Sequence, residues 1–211
     1  MNMVDPDGRT IRIWYYQDGD LLYFTYSGEE DESTIPDNDY VNAVIGAYKY
    51  NKHQWMAAGF NGESPSTTLV ENKDILVNVF SKLEYDTQYY RGNGGIQNII
   101  WNPYEGSSTD EGYVISPATI FAHEADHAID DAMDAVSHSA RVSSLIEPFG
   151  NEEERRVITG SEQKSAIANG DITRGQVTRR NHRGKTIYTI SPVSPIIDLE
   201  ATRYFRNHYK R

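Results

Sequence analysis

The string Phe121-Ala122-His123-Glu124-Ala125-Asp126-His127-Ala128 constrains this chain more than any other segment. It lies downstream of Ser116-Pro117, a serine suited to cap a helix and a proline at the first helical position, where its missing N–H costs nothing. A helix starting there and running to about Ala140 is supported by Ile120, Ala128, Ile129, Ala132, Met133 and Val136. Residues four apart share a helix face, so His123 and His127 can present ring nitrogens to one metal ion. The rest of the chain must then fold so that a further ligand meets this helix. With 6 His in 211 residues, composition alone yields about 0.01 chance occurrences of this H-E-x-x-H spacing. A solvated helix carrying an accidental His pair is therefore the poorer reading.

The chemistry follows from the residue types. There is no cysteine, so disulfides, thiolate catalysis and Cys-ligated metal are excluded, and nitrogen and oxygen ligands point to zinc. Glu124 follows the first histidine and is placed to hydrogen-bond a water on the metal and accept its proton during attack on a carbonyl. A third histidine ten residues after the first is absent, because that position is Met133. A carboxylate from a second helix is the expected third ligand, and Glu152-Glu153-Glu154 opens the next one, after Pro148 and Gly150. Acidic residues also suit a helix first turn through the macrodipole alone. Glu154 has Val157 and Ile158 three and four positions on, so it shares the apolar side and is the first choice; Glu153 is the second. Asp130, Asp131 and Asp134 read mainly as solvated charge, although Asp130 or Asp131 could hold a ligand imidazole through its other nitrogen. Asp126 is unusual before the second histidine, where an apolar residue is expected.

The remaining elements predict an α+β fold. Ile11–Tyr16 and Leu21–Tyr26 read as strands of a hairpin turned at Asp18-Gly19, and an acidic stretch with Pro36 follows as a linker. The expected division is 1–35 as a junction with hairpin and linker, and 36–211 as the main domain. A helix from Asn38 to about Ala58, a loop over 60–68 and a strand at Ile75–Phe80 come next. Ile96–Trp101 reads as an edge strand beside the site, able to pair with an extended peptide. A loop over 105–112 precedes the His helix; after it come helices over 152–158 and 160–168, a strand at Thr186–Ile190 and a last helix near Leu199–Tyr209.

Composition narrows the partners. The net charge of -11 disfavours general nucleic-acid binding, because phosphate is repelled. Residues 1–169 carry 11 basic and 28 acidic side chains, whereas residues 170–211 carry 9 and 3. The basic tail either packs on the acidic body or meets an acidic partner. Asn181-His182-Arg183 within it leaves open a His/Asn metal-nuclease site, and an interaction module with a vestigial motif is a third reading. No apolar run is long enough to span a membrane, and the first twenty residues lack a basic start followed by an apolar run, so no secretory signal is expected there.

Several stretches resemble a known group of proteins. Asn2–Arg9 is similar to the close of an Rhs/YD-repeat core, where a D-P-x-G segment precedes a variable toxin tip. Asn98–Gly106, Ser116–Ala128 and Glu153–Gln163 resemble the zinc metallopeptidase tips of such polymorphic toxins, which are similar to bacterial effector metallopeptidases. The resemblance covers roughly residues 70–185. It implies a zincin-like metallopeptidase domain: an active-site HExxH helix, a small mixed sheet and a second, glutamate-bearing helix. It further implies a secreted or cell-delivered toxin that hydrolyses a target-cell protein and has a cognate immunity protein. Carried over residue by residue, it supports Glu154 as third ligand and gives Glu162, of the pair Glu162-Gln163, a supporting role. Asp126 and Gln163 depart from the pattern.

Overall fold

The computed structural model describes residues 11–81 and 86–208. The segment Asn2–Arg9, which carries the junction resemblance, lies outside them. The described chain is mixed α+β with two small sheets.

The hairpin forms as expected: β1 (Ile11–Gln17) and β2 (Asp20–Tyr26) pair antiparallel. Asp18 and Gly19 both take positive φ, 52° and 91°, as a two-residue turn matched to strand twist requires. It is no isolated module, because β1 also pairs in parallel with β3 (Val77–Phe80). β5 (Gln97–Ile100) pairs in parallel with β3, and β4 (Gln88–Arg91) pairs antiparallel with β5. The order β2-β1-β3-β5-β4 therefore makes β4 the edge and places β5 inside. The expectation that Ile96–Trp101 forms the edge is corrected: all of Gln97–Ile100 is buried, as suits a strand with neighbours on both sides.

One face of this sheet holds Ile11, Ile13, Val77, Val79 and Ile99, all fully buried. The helix that follows the hairpin packs on it. α1 (Asp39–Ala57) starts at Asn38, whose side chain accepts from the N–H groups of Tyr40 and Val41, and buries Val41, Val44, Ile45 and Tyr48. A short helix, α2 (Pro65–Glu71), occupies part of the region expected to be a loop, and Ser64-Pro65 starts it as Ser116-Pro117 starts the His helix.

The expected loop over 105–112 instead contains β6 (Glu105–Ser108), joined by β7 (Val114–Ile115) and β8 (Lys185–Tyr188) in a second, antiparallel sheet. The His-bearing helix, α3 (Pro117–Met133), then packs Ala118, Phe121, Ala125 and Ala128 into the same core as α1 and the large sheet. It stops earlier than expected. Asp134 takes φ -147° and ψ 77°, and its side chain accepts from Ser137 N–H to start α4 (Ala135–Ser143). Such a short polar side chain competes with the helix ladder.

After Asn151 caps α5 (Glu152–Val157), the chain does not break at Gly160-Ser161. It passes through a π-helical segment, Ile158–Glu162, directly into α6 (Gln163–Asn169), which ends at Gly170 with φ 79°. A final helix, α7 (Leu199–His208), follows β8. No helix among the described residues is long and apolar enough to cross a membrane.

Candidate metal centre

α3 and α5 together assemble a three-residue group. The ligand atoms of His123, His127 and Glu154 all lie within 4.8 Å of one another. The two Nε2 atoms are 3.1 Å apart, and the Glu154 carboxylate oxygens stand 3.4 Å from each. Buried nitrogen and carboxylate atoms this close together can share one cation. No described residue donates a hydrogen bond to the buried Glu154 Oε2. The two imidazoles and one carboxylate thus fit a divalent metal ion. The field agrees: burial would lower both rings, but Glu154 and Glu162 raise His123 to about 10, while Glu153 and Glu154 raise His127 to about 9. The pocket calls for positive charge, which a metal ion can supply as well as protons.

Each imidazole has a different glutamate behind it, hydrogen-bonded to His127 and in close charge contact with His123. Nδ1 of His127 meets Glu153 at 3.1 Å, and Nδ1 of His123 lies 2.8 Å from Glu162. Each of these carboxylates is in turn charge-paired. Arg141 Nε donates to Glu153 at 2.7 Å and Arg156 Nη2 at 2.6 Å, while Arg179 Nε donates to Glu162 at 3.0 Å. Burial alone would raise the Glu162 carboxyl, but Arg179 and His123 hold it down at about 2. Outer partners of this kind fix ring orientation and tautomer. The π segment places Glu162. Eight residues of regular α-helix would turn it about 80° from Glu154, whereas one inserted residue leaves it about 20° away, on nearly the same face.

Several sequence expectations are resolved by these contacts. Glu153, the second-choice ligand, sits behind His127 and outside the three-residue group. Glu152 pairs with Arg155 at the surface. Neither Asp130 nor Asp131 holds a ligand imidazole. Asp131 is buried, not solvated, and takes Arg91 Nε at 2.7 Å and the Tyr89 hydroxyl. Asp130 meets His138 and Arg141. A second group, Asp130, His138 and Glu153, also lies close together, but Arg141 and Arg156 already neutralise its carboxylates. Asp126, anomalous by pattern, pairs with Arg156 at 3.1 Å and so ties α3 to α5.

Glu124 faces a cleft of about 240 Å³ lined also by His123, Thr87, Glu105, Arg179 and His182. Its Oε2 accepts from the Tyr89 N–H of edge strand β4 at 2.6 Å. Burial raises its pKa above the ordinary carboxylate value, against the pull of the two histidines. A raised carboxyl is the better proton acceptor near neutral pH. A larger cleft, about 870 Å³, lies against Trp14, Tyr40, Asn78 and Phe80, and none of the ligand group lines it.

The loop over 171–184 forms the remaining wall, and this was not foreseen. Gln163 anchors it: its amide donates to Gln176 O and accepts from Thr178 N–H at 2.9 Å. Asn181 is bound to Asp110 at 3.2 Å, away from the His/Glu group, while His182 reaches Nε2 to 3.3 Å from Glu154. Along the sequence this wall is signalled by the adjacency Glu162-Gln163, whose side chains hold Arg179 and Thr178, and by Asn181-His182-Arg183, read there as a nuclease site. No protein family, no curated protein and no solved structure matches this chain.

Proposed function

We propose that this chain is a zinc-dependent endopeptidase. The observation that carries the reading is the meeting of His123, His127 and Glu154 within one small group, with His123 and Glu124 both lining the adjoining cleft. Bound zinc supplies Lewis-acid polarisation of a carbonyl and acidifies water at the site. Glu124 takes a proton from the attacking water as its oxygen bonds to the peptide carbonyl carbon and the C=O π pair moves onto oxygen. The oxygen's pair then re-forms the C=O bond as the C–N bond breaks, the C–N pair goes to nitrogen, and Glu124 returns the proton to that amine. An extended substrate runs beside the β4 edge, whose N-terminal neighbour Thr87 lines the cleft. Glu153 and Glu162 keep the two imidazoles oriented throughout.

In the same reading the chain is the toxic tip of a larger Rhs-type protein, delivered into a target cell, where it cleaves a protein and is neutralised by a cognate immunity protein. The resemblance of residues 98–106, 116–128 and 153–163 supports this context.

Purified protein should contain about one zinc per chain by elemental analysis, as a single three-ligand site holds one ion. It should cleave casein, leave nucleic acid intact and arrest growth when expressed inside bacteria. Glu124→Gln should keep the metal and lose about 10²–10⁴ of the cleavage rate. Metal-free active protein, or nucleic-acid cleavage without proteolysis, would end the reading.

A further inference from the structure

We propose that His182 is a further catalytic residue of this site, whose Nε2–H donates a hydrogen bond to the scissile carbonyl oxygen as that oxygen gains negative charge. The inference rests on the peptidase reading and adds the group that stabilises its transition state.

Three observations place His182 there. Its Nε2 is 3.3 Å from Glu154 Oε2, and its ring lines the same cleft as Glu124 and His123. It stands outside the group formed by His123, His127 and Glu154, so it borders the metal position without belonging to the ligand set. Its side chain is 53% exposed, whereas those of His123 and His127 are 5% and 6%. A substrate entering the cleft can reach this ring while the ligand rings stay covered.

The chain around His182 is held on both sides. His182 N–H donates to Pro148 O at 3.2 Å, Arg180 N–H to Glu111 at 2.9 Å, and Arg183 N–H to the Asn181 side chain at 2.7 Å. Arg179 is bonded to buried Glu162 through both Nε and Nη2. The imidazole is therefore carried on an anchored segment, and a donor fixed before the reaction stabilises developing charge without reorganising. Arg179, the only arginine or lysine among the described residues that line the cleft, is committed to Glu162 and turned to orienting His123. His182 keeps its proton: the hydrogen bond shortens as charge builds on oxygen, and the transferred proton remains the one that Glu124 carries.

The test compares wild type, His182→Ala and His182→Gln as zinc-loaded full chains. Zinc affinity is measured by competition with a chromogenic chelator, casein cleavage by kcat and KM, and binding of a phosphinic peptide by calorimetry. His182→Ala should lower kcat about 10²–10³-fold with KM little changed, as expected on removing one oxyanion donor. Phosphinic-peptide affinity should fall with kcat, zinc affinity should stay within about threefold, and glutamine, whose amide can donate, should recover part of the loss. A loss of zinc affinity matching that of His123→Ala would overturn the inference and make His182 a ligand. Wild-type kinetics in His182→Ala would overturn it and leave the peptidase reading standing. An inactive, zinc-free wild type would instead sink that reading, and this inference with it.

Discussion

Glu162 reaches back 2.8 Å to Nδ1 of His123, although 39 positions separate the two residues, and Arg179 Nε holds the carboxylate there at 3.0 Å. The pair couples the geometry of the ligand helix to the π segment and to the loop over 171–184. Whatever loosens Glu162 should therefore loosen the metal site.

Glu162→Gln should lower zinc affinity about 10–100-fold, the usual cost of losing an outer-shell partner of a metal-bound histidine. The variant also leaves the Arg179 guanidinium facing a neutral amide, so its melting temperature should fall. Unchanged zinc affinity in competition titrations would show that Glu162 serves Arg179 alone.

The three adjacent glutamates should separate cleanly. Glu154→Ala should abolish tight zinc binding while the metal-free protein stays folded, because no arginine among the described residues pairs with this carboxylate. Glu153→Ala should instead destabilise the metal-free protein by about 1–3 kcal/mol, since it strips a buried acceptor from Arg141 and Arg156, which keep Asp130 and Asp126 as partners. Glu152→Ala should do little, as its pair with Arg155 is at the surface. Urea unfolding with and without zinc distinguishes the three; a Glu153→Ala protein as stable as wild type would contradict the outer-shell assignment.

Gln163→Glu should detach the loop over 171–184. The amide nitrogen donates to Gln176 O, and a carboxylate there would face a carbonyl oxygen with no proton to share. The cost should be about 1–3 kcal/mol of stability, together with faster proteolytic nicking between 171 and 184. Nicking at the wild-type rate would show that the loop is held elsewhere.

Asp171 provides the pH-dependent element. Burial pushes its carboxyl from the ordinary 3.8 up to about 6, against the hydrogen bonds from Ser116 and Thr119. The folded value exceeds the unfolded one, so the proton's stabilising contribution is complete below pH about 4 and is lost as pH rises through about 6. A shift of this size corresponds to roughly 3 kcal/mol. Asp171→Asn cannot titrate, and its urea midpoint should rise relative to wild type as pH increases from about 4 to 6. A midpoint difference that does not vary with pH would remove Asp171 from the account.

Features encoded within a turn or two of chain can be read directly along the sequence. Ser116-Pro117 starts α3, Asn38 caps α1, and Asp18-Gly19 turns the first hairpin, because caps and tight turns are local hydrogen-bond problems. The spacing of His123 and His127 on one face, and the apolar side shared by Glu154, Val157 and Ile158, were legible for the same reason. Ser64-Pro65 carries the same local signal and starts α2. The tertiary structure decided the rest. The strand β4, built from Gln-Tyr-Tyr-Arg, has no clean alternation, and its place at the edge depends on pairing with β5. Regular helix arithmetic turns Glu162 away from Glu154, and only the π segment returns it. Asp126 and Asp131 look anomalous or solvated along the chain; each is explained by an arginine, Arg156 or Arg91, contributed by another element. Charges buried in such a site are stable only where distant partners arrive together, and that meeting is a property of the packed fold.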